Sequence, residues 1–294
     1  MQHIFIVNPA AGKGKSLEMV QKIKEKFKDS QEPYRIEITE APGHATSIAQ
    51  RISEGVAPTR IYSVGGDGTL NEIVNGISGD HVELGILPCG SGNDTIRSIY
   101  SVIDPIALLD RLPSAASVKL DLGKINNRYF INIASTGFDA EVVILTRHFK
   151  RKPLISGSMA YILGVLTALI RLKKYPVRIK IDDSPERSKS ILLCAFANGK
   201  YYGGGMKPAP HADMTDGILD VCEVESMHRM KILRFFPIFK KGGHESMKEV
   251  VMSRCKKIVI ESDAPIPVNI DGEIIKETRV SIEVIPGHIQ VIIP

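Results

Sequence analysis

The sequence predicts an α/β domain with a parallel sheet over residues 1–115, then a mostly antiparallel β-sandwich domain over residues 116–294. A strand near residues 285–294 can return to the first domain. Three observations carry this reading. Apolar runs alternate with helix-length segments in the first third of the chain. From about Ser117, short runs with period-two alternation sit between turn residues. The chain has 294 residues, 43% hydrophobic and 24% charged, enough to bury a large core and unlike a disordered chain, a collagen repeat or a coiled coil.

The elements follow in order. Residues 2–7, QHIFIV, form a continuous apolar run suited to a strand buried on both faces. A Pro/Gly/Lys loop leads to a helix from Ser16 to Phe27. Tyr34–Ile38 reads as a strand, Ala45–Ser53 as a helix, Arg60–Val64 as a strand, Leu70–Gly76 as a helix start and Leu84–Leu87 as a strand. This alternation implies βαβ units with right-handed crossovers. The second domain reads as nine short strands: VKLDLGKIN, RYFINIAST, VRIKIDD, SILLCAFAN, ILDVCEV, KKIVIES, PVNIDGE, RVSIEVIP and HIQVIIP. Helices at Met159–Leu172 and Met227–Phe239 interrupt them.

Composition narrows the function classes. Thirty-eight Lys and Arg against 33 Asp and Glu give +5, a mild bias that suits anionic ligands or an anionic membrane surface. With no Trp and 6% aromatics, a base-stacking platform is not expected, and no nucleic-acid partner is predicted. Cys89, Cys194, Cys222 and Cys255 form no CxxC pair, so a reducing cytoplasm is expected rather than a disulfide framework or a zinc site. The start, MQHIFIVNPAAGKG, does not read as a signal peptide. Pro153 to Ile170 holds 18 residues without a charge, but Ser and Gly interrupt it; Ser158 as N-cap leaves a shorter helix, buried or interfacial.

Three glycine-rich loops follow three of the strands. In Val64-Gly65-Gly66-Asp67-Gly68-Thr69-Leu70-Asn71-Glu72 the glycines let the backbone approach a phosphate, and the helix start offers N–H groups and a positive dipole end. Asp67 suits a Mg²⁺ carried by phosphates, or the acceptor hydroxyl. Taken alone, a glycine-rich turn with a solvated Asp explains the residues as well. Asn8-Pro9-Ala10-Ala11-Gly12-Lys13-Gly14-Lys15-Ser16 ends like a P-loop, but that pattern needs Gly at position 9, where Pro stands. Leu87-Pro88-Cys89-Gly90-Ser91-Gly92-Asn93-Asp94 is the third. In open parallel sheets, ligands bind at such strand ends.

With NPAAGKG, Thr39–Ala45 (TEAPGHA), GGDGTLNE, LPCGSGND, Asn198-Gly199, Gly203-Gly204-Gly205, Asp213–Gly217 (DMTDG) and Asp271-Gly272-Glu273 in this order, the chain resembles the bacterial diacylglycerol kinases and related lipid kinases. These share a catalytic domain with sphingosine kinases. The resemblance covers nearly the whole chain. It implies a nucleotide-binding α/β domain like those of phosphofructokinases and NAD kinases, a β-sandwich domain and a cleft between them. By matching position it implies ATP contacts from Asn8, Pro9, Ala10, Ala11, Gly12, Thr39, Gly66, Asp67, Gly68, Thr69, Leu70, Asn71, Glu72 and Ser91. Ser91 stands where the family usually has Thr, and Thr95 where it has Phe. Glu273 matches the family's proton acceptor, and Asp67 joins it as a catalytic carboxylate. DGE also reads as a hairpin turn. Asp213, Asp216 and the carbonyl of Ile218 match a structural Mg²⁺ site, with Asp121 linked to it through water. An Asp-rich turn with Gly at a special φ is the lesser alternative for DMTDG.

The expected function is ATP- and Mg²⁺-dependent phosphorylation of a lipid alcohol such as diacylglycerol. The alternatives are a kinase of a soluble alcohol, and a non-catalytic nucleotide-responsive lipid-binding protein. The basic run Arg147–Lys152 and the mixed stretch Met227–Lys241 suit an anionic headgroup surface, which predicts reversible peripheral binding at the inner face of the membrane. A solvated charged face explains them as well. No motif speaks to oligomeric state; a homodimer is admitted.

Overall fold

A computed structural model describes residues 1–90, 92–152 and 155–294. The first domain runs β1 (Gln2–Val7), α1 (Lys15–Phe27), β2 (Tyr34–Ile38), α2 (His44–Ser53), β3 (Thr59–Gly65), α3 (Asp67–Val74), β4 (Val82–Pro88), α4 (Asp94–Ile99) and α5 (Pro105–Arg111). Its strands pair in the order β4-β3-β1-β2, all parallel. β1 is apolar throughout because both faces are covered: Ile4 to Val7 are fully buried. α1 presents Met19, Ile23 and Phe27 to the sheet at helical spacing, and Phe5 stacks on Tyr62 with ring centroids 4.4 Å apart.

The second domain continues with β5 (Ser117–Ile125), β6 (Arg128–Phe130), β7 (Ile133–Gly137), α6 (Phe138–Lys150), α7 (Gly157–Ile170), β8 (Tyr175–Ile181), β9 (Arg187–Ala197), β10 (Leu219–Glu225), α8 (Arg229–Lys241), β11 (Val250–Cys255), β12 (Lys257–Ile270) and β13 (Glu273–Ile292). Antiparallel pairing runs β11-β10-β9-β7-β12-β13. Residues of β9 and β10 alternate between two cores. Cys194, Phe196, Leu219 and Val221 face the inner strands; Leu193, Ala195, Cys222 and Val224 face a layer that includes α6 and α8. This explains why SILLCAFAN is apolar without a break.

Several expectations shift. RYFINIAST splits into β6 and β7, KKIVIES and PVNIDGE fuse into β12, and RVSIEVIP and HIQVIIP fuse into the 20-residue β13. Turn-forming Pro and Gly inside those strands mark bulges, as the register breaks between Glu261 and Ile266 and between Ile285 and Ile289 show. α4, α5, α6 and β11 were not anticipated. α7 is capped by Ser156, which accepts from the Met159 N–H, and not by Ser158, so the helix starts at Gly157. The end of β13 pairs in parallel with β4, Gln290 opposite Glu83 and Val291 opposite Leu84, so the chain's last strand extends the first domain's sheet.

Arg60 ties this junction. Its side chain is 8% exposed. Its Nε donates to Glu83 at 2.7 Å, and its two terminal nitrogens donate to the carbonyls of Leu112, Pro113 and Ala115 at 2.9, 2.6 and 2.9 Å. Only a guanidinium fork can serve all four acceptors. Arg60→Lys is expected to leave buried carbonyls unpaired and lower unfolding stability by about 2–4 kcal/mol, read by urea denaturation. A loss below about 0.5 kcal/mol, the scatter of ordinary surface changes, would show that the fork is dispensable.

Candidate active site

The three glycine-rich loops pack on one another. Asn8 Nδ2 donates to Thr69 Oγ1 at 2.9 Å, joining the first loop to the second. The Ser16 hydroxyl donates to the Asn8 carbonyl at 2.6 Å and steadies the turn into α1. Gly12, at φ 62°, lies so close to the third loop that a Cβ would sit 2.0 Å from the Cys89 carbonyl oxygen. The second and third loops meet at Gly66 and Gly90, where a Cβ on Gly90 would sit 2.6 Å from the Gly66 Cα. The Gly65 carbonyl accepts both the Cys89 and Gly90 N–H groups, at 2.7 and 3.0 Å. The glycines therefore serve loop-to-loop contact as well as any ligand.

A cleft of about 490 Å³ opens beside them, between the two domains. Asp67 and Gly68 line it from the start of α3, Glu273 and Asp271 from the β12–β13 turn, and Arg147 and Lys150 from α6. Asp67 accepts the N–H groups of Asp94 and Thr95 at 3.3 and 3.1 Å, at the start of α4. Asp94 beside it is buried, which raises its carboxyl; the Gly204 N–H donates to it at 2.6 Å and pulls the other way. This contact brings the triple-glycine segment to the nucleotide-side loops.

The Asp271-Gly272 turn is a two-residue hairpin: both φ values are positive, 46° and 95°, and Ile270 pairs with Glu273. Asp271 does more than turn the chain. Its Oδ2 accepts from Ile131 N at 2.8 Å and Asn71 Nδ2 at 3.0 Å; its Oδ1 accepts from Ile133 N at 2.9 Å and Asn132 N at 3.2 Å. Burial pushes its carboxyl up to about 6, against the pull of those donors. Glu273, one residue past the turn, pairs with Arg128 at 2.5 Å. Arg147 donates to the Gly272 carbonyl at 2.6 Å and so braces the same turn from α6.

The other expected nucleotide residues sit at varied depth. Pro9, Ala10 and Ala11 are on the surface of the first loop, and Thr39 is buried at the end of β2, its N–H on the Val7 carbonyl. Leu70 is in the core, Asn71 turns to Asp271, and Glu72 accepts the Ala45 N–H at 3.2 Å. These three support the loop from behind. Ser91 lies outside the described residues.

Asp213 and Asp216 do not converge with a third ligand. Asp213 Oδ1 accepts from the Thr215 N–H and hydroxyl at 3.0 and 2.7 Å. Asp216 accepts the Ile218 N–H at 3.1 Å and pairs with Arg254. Asp121 is 2% exposed and takes the N–H groups of Gly217 and Gly287 at 2.7 and 2.8 Å. Among the described residues no group of three or more His, Cys, Asp or Glu could hold a metal. With a guanidinium on Asp216, the residues as arranged do not fit a cation.

Sequence reading missed Arg147 and Lys150 as cleft residues, grouping them with the exposed basic run. Their spacing of three, with Val143 four residues before Arg147, is the helical signal that could have found them. Asp94 closes the third glycine-rich loop but was not singled out, and Arg128 left no such signal.

Residues 2–125 match the diacylglycerol kinase catalytic domain, and residues 132–293 match the YegS C-terminal NAD kinase beta sandwich-like domain. The diacylglycerol kinase of Staphylococcus epidermidis is 32% identical over 259 residues, covering 87% of this chain and 80% of that one. That of Mycobacterium tuberculosis is 29% identical over 301 residues, covering 98% and 94%. A crystal structure of a diacylglycerol kinase from Bacillus anthracis str. Sterne has the same fold, with TM-score 0.74, 23% identity and coverage of 99% and 96%. Both halves of the chain and the cleft between them thus lead to one conclusion: the chain belongs to the diacylglycerol kinase family of lipid kinases.

Proposed function

We propose that the protein transfers the γ-phosphoryl group of ATP to the hydroxyl of diacylglycerol or a related lipid alcohol. One observation carries the lipid part. An apolar slot opens from the polar cleft, walled by Phe138 and Val142 of α6, Tyr161 of α7, and Ile232, Phe235 and Phe239 of α8. Val143, Tyr202, Gly203 and Asn269 line both spaces, so a molecule can place a hydroxyl at the carboxylates and an alkyl chain among the apolar groups. A kinase of a soluble alcohol has no use for such a slot.

In this reading the acceptor oxygen attacks the γ-phosphorus while the bond to the β–γ bridging oxygen breaks. The acceptor's proton goes to Glu273, which Arg128 holds in place. Mg²⁺ arrives with ATP as part of the substrate, and Asp67 orients that complex. Arg147 and Lys150 offset phosphate charge on the opposite wall. The outward face of α7 carries Met159, Ile162, Leu166 and Ile170, 47–72% exposed and spaced three or four apart, and α8 adds Met230 and Leu233. Arg229 bonds to the Leu169 and Ile170 carbonyls, tying the two helices at one end. Among the described residues no helix is long and apolar enough to cross a membrane. This face, with Arg151, Lys152, Arg234, Lys240 and Lys241 exposed, suits reversible docking to an anionic bilayer.

Incubation with labelled ATP and a lipid panel tests the reading, with label in a lipid phosphate expected and no label in any lipid contradicting it. Glu273→Gln is expected to lower turnover about 10²–10⁴-fold. Because the Arg128 pair is more than a third exposed, the melting point should barely move. Asp67→Asn is expected to lose comparable activity, with about 1 kcal/mol of stability for the lost α4 cap. Turnover within a few-fold of the parent in either variant would remove that residue from its role.

For docking, co-sedimentation with anionic vesicles at low salt is expected, with little binding to neutral vesicles. Release is expected near 1 M salt, where the screening length falls to about 3 Å. Replacing Arg234, Lys240 and Lys241 with Ser should weaken it. Equal, salt-insensitive binding to both vesicles would show that apolar insertion dominates.

A further inference from the structure

One carboxylate lies inside the apolar slot. Asp139, on the first turn of α6, is 7% exposed, and neither of its oxygens has a hydrogen-bond partner. Tyr202, also 7% exposed, has a hydroxyl without a partner. Both side chains line the slot, and Tyr202 stands where it meets the cleft. Burial pushes the Asp139 carboxyl up to about 6; the Ser135 hydroxyl, the backbone N–H groups at the start of α6 and the Tyr202 hydroxyl lie near enough to pull the other way without completing a hydrogen bond. Leaving a buried carboxylate unpaired is costly. Asn269 links the pair to the reacting end: its Oδ1 accepts the Gly272 N–H at 2.9 Å, and its Nδ2 donates to Ser135 at 3.4 Å.

We propose that Asp139 and Tyr202 form a specificity subsite that accepts a hydrogen bond from a hydroxyl or ammonium group carried by the acceptor lipid next to the hydroxyl being phosphorylated. This rests on the lipid-kinase reading above. No bond is made or broken at Asp139; it selects. A diacylglycerol presents only ester oxygens at that position. These are acceptors, so they would leave the carboxylate unpaired and face its charge. A lipid with one chain and a free neighbouring hydroxyl or amine supplies the missing donor.

The test compares four ether lipids of one chain length as acceptors for labelled ATP, using the full chain. They are a 1-alkylglycerol, a 3-alkoxypropan-1-ol that lacks only the 2-hydroxyl, the 2-amino counterpart, and a 1-alkyl-2-acylglycerol. The 2-hydroxy or 2-amino lipid is expected to exceed the 2-deoxy lipid by about 10²-fold in kcat/KM, because a site built to bind a donor rejects the analogue without it. Whichever of the two is better assigns the donor. Asp139→Leu should bring that ratio towards one, and Tyr202→Phe should reduce it; if the Leu variant does not fold, the parent protein's ratio and Tyr202→Phe still decide. Equal kcat/KM for the 2-hydroxy, 2-amino and 2-deoxy lipids, or a preference for the 1-alkyl-2-acyl lipid, overturns the subsite and keeps the kinase reading. No label in any lipid overturns both.

Discussion

Asp271 joins the two halves of the molecule through a single carboxylate. Its two oxygens take N–H groups from Asn71 on α3, in the first domain, and from three successive residues, Ile131 to Ile133, in the second. A carboxylate suits this position because it accepts on all sides and donates nothing. The surrounding asparagines extend the junction. Asn75 exchanges bonds with the Tyr129 backbone, and Asn198 donates to the carbonyls of Asp121 and Ile131 at 2.8 and 2.7 Å. With the turn held in this way, Glu273 and Asp67 line opposite domain edges of one cleft. Apolar packing shares the tie away from the cleft, where Leu120, Leu122, Ile131 and Val291 of the second half join the core of the first; at the cleft itself the contact is this polar junction.

The walls of the site divide the work by chemistry. Loops at the carboxyl ends of β1, β3 and β4 supply close backbone and helix N–H groups, which favour phosphate. α6 contributes cations at its C-terminal end and apolar side chains at its start, so one helix spans both the phosphate and the alkyl ends of a substrate.

The α/β half was readable because its physics is local. β1, β3 and β4 are largely apolar runs that lead into glycine loops, and the strands and helices expected there lie within three residues of those observed, with α4 and α5 alone not expected. The second half was less readable. A bulge inside β12 and another facing β5 look like turns in the sequence, so single long strands read as pairs. α6 was missed because its residues divide three ways between slot, cleft and solvent, which blurs its apolar stripe. Several motif residues meet at one cleft, but their partners lie far off in sequence: Asp271 meets Asn71 across 200 residues. No spacing rule finds such a contact, and the role of Asp271 as a junction as well as a turn came only from the fold. Asp139 was silent for the same reason, since its lack of partners is a property of packing.

The most direct measurement is the stability and turnover of Asp271→Asn, taken together. The amide keeps the shape but turns one acceptor into a donor that faces N–H groups. The account predicts a loss of about 2–4 kcal/mol in unfolding stability from two spoiled buried hydrogen bonds, together with loss of phosphoryl transfer. Parent-like stability and turnover in this variant would contradict it, and would mean that the two halves are held in register by something other than this carboxylate.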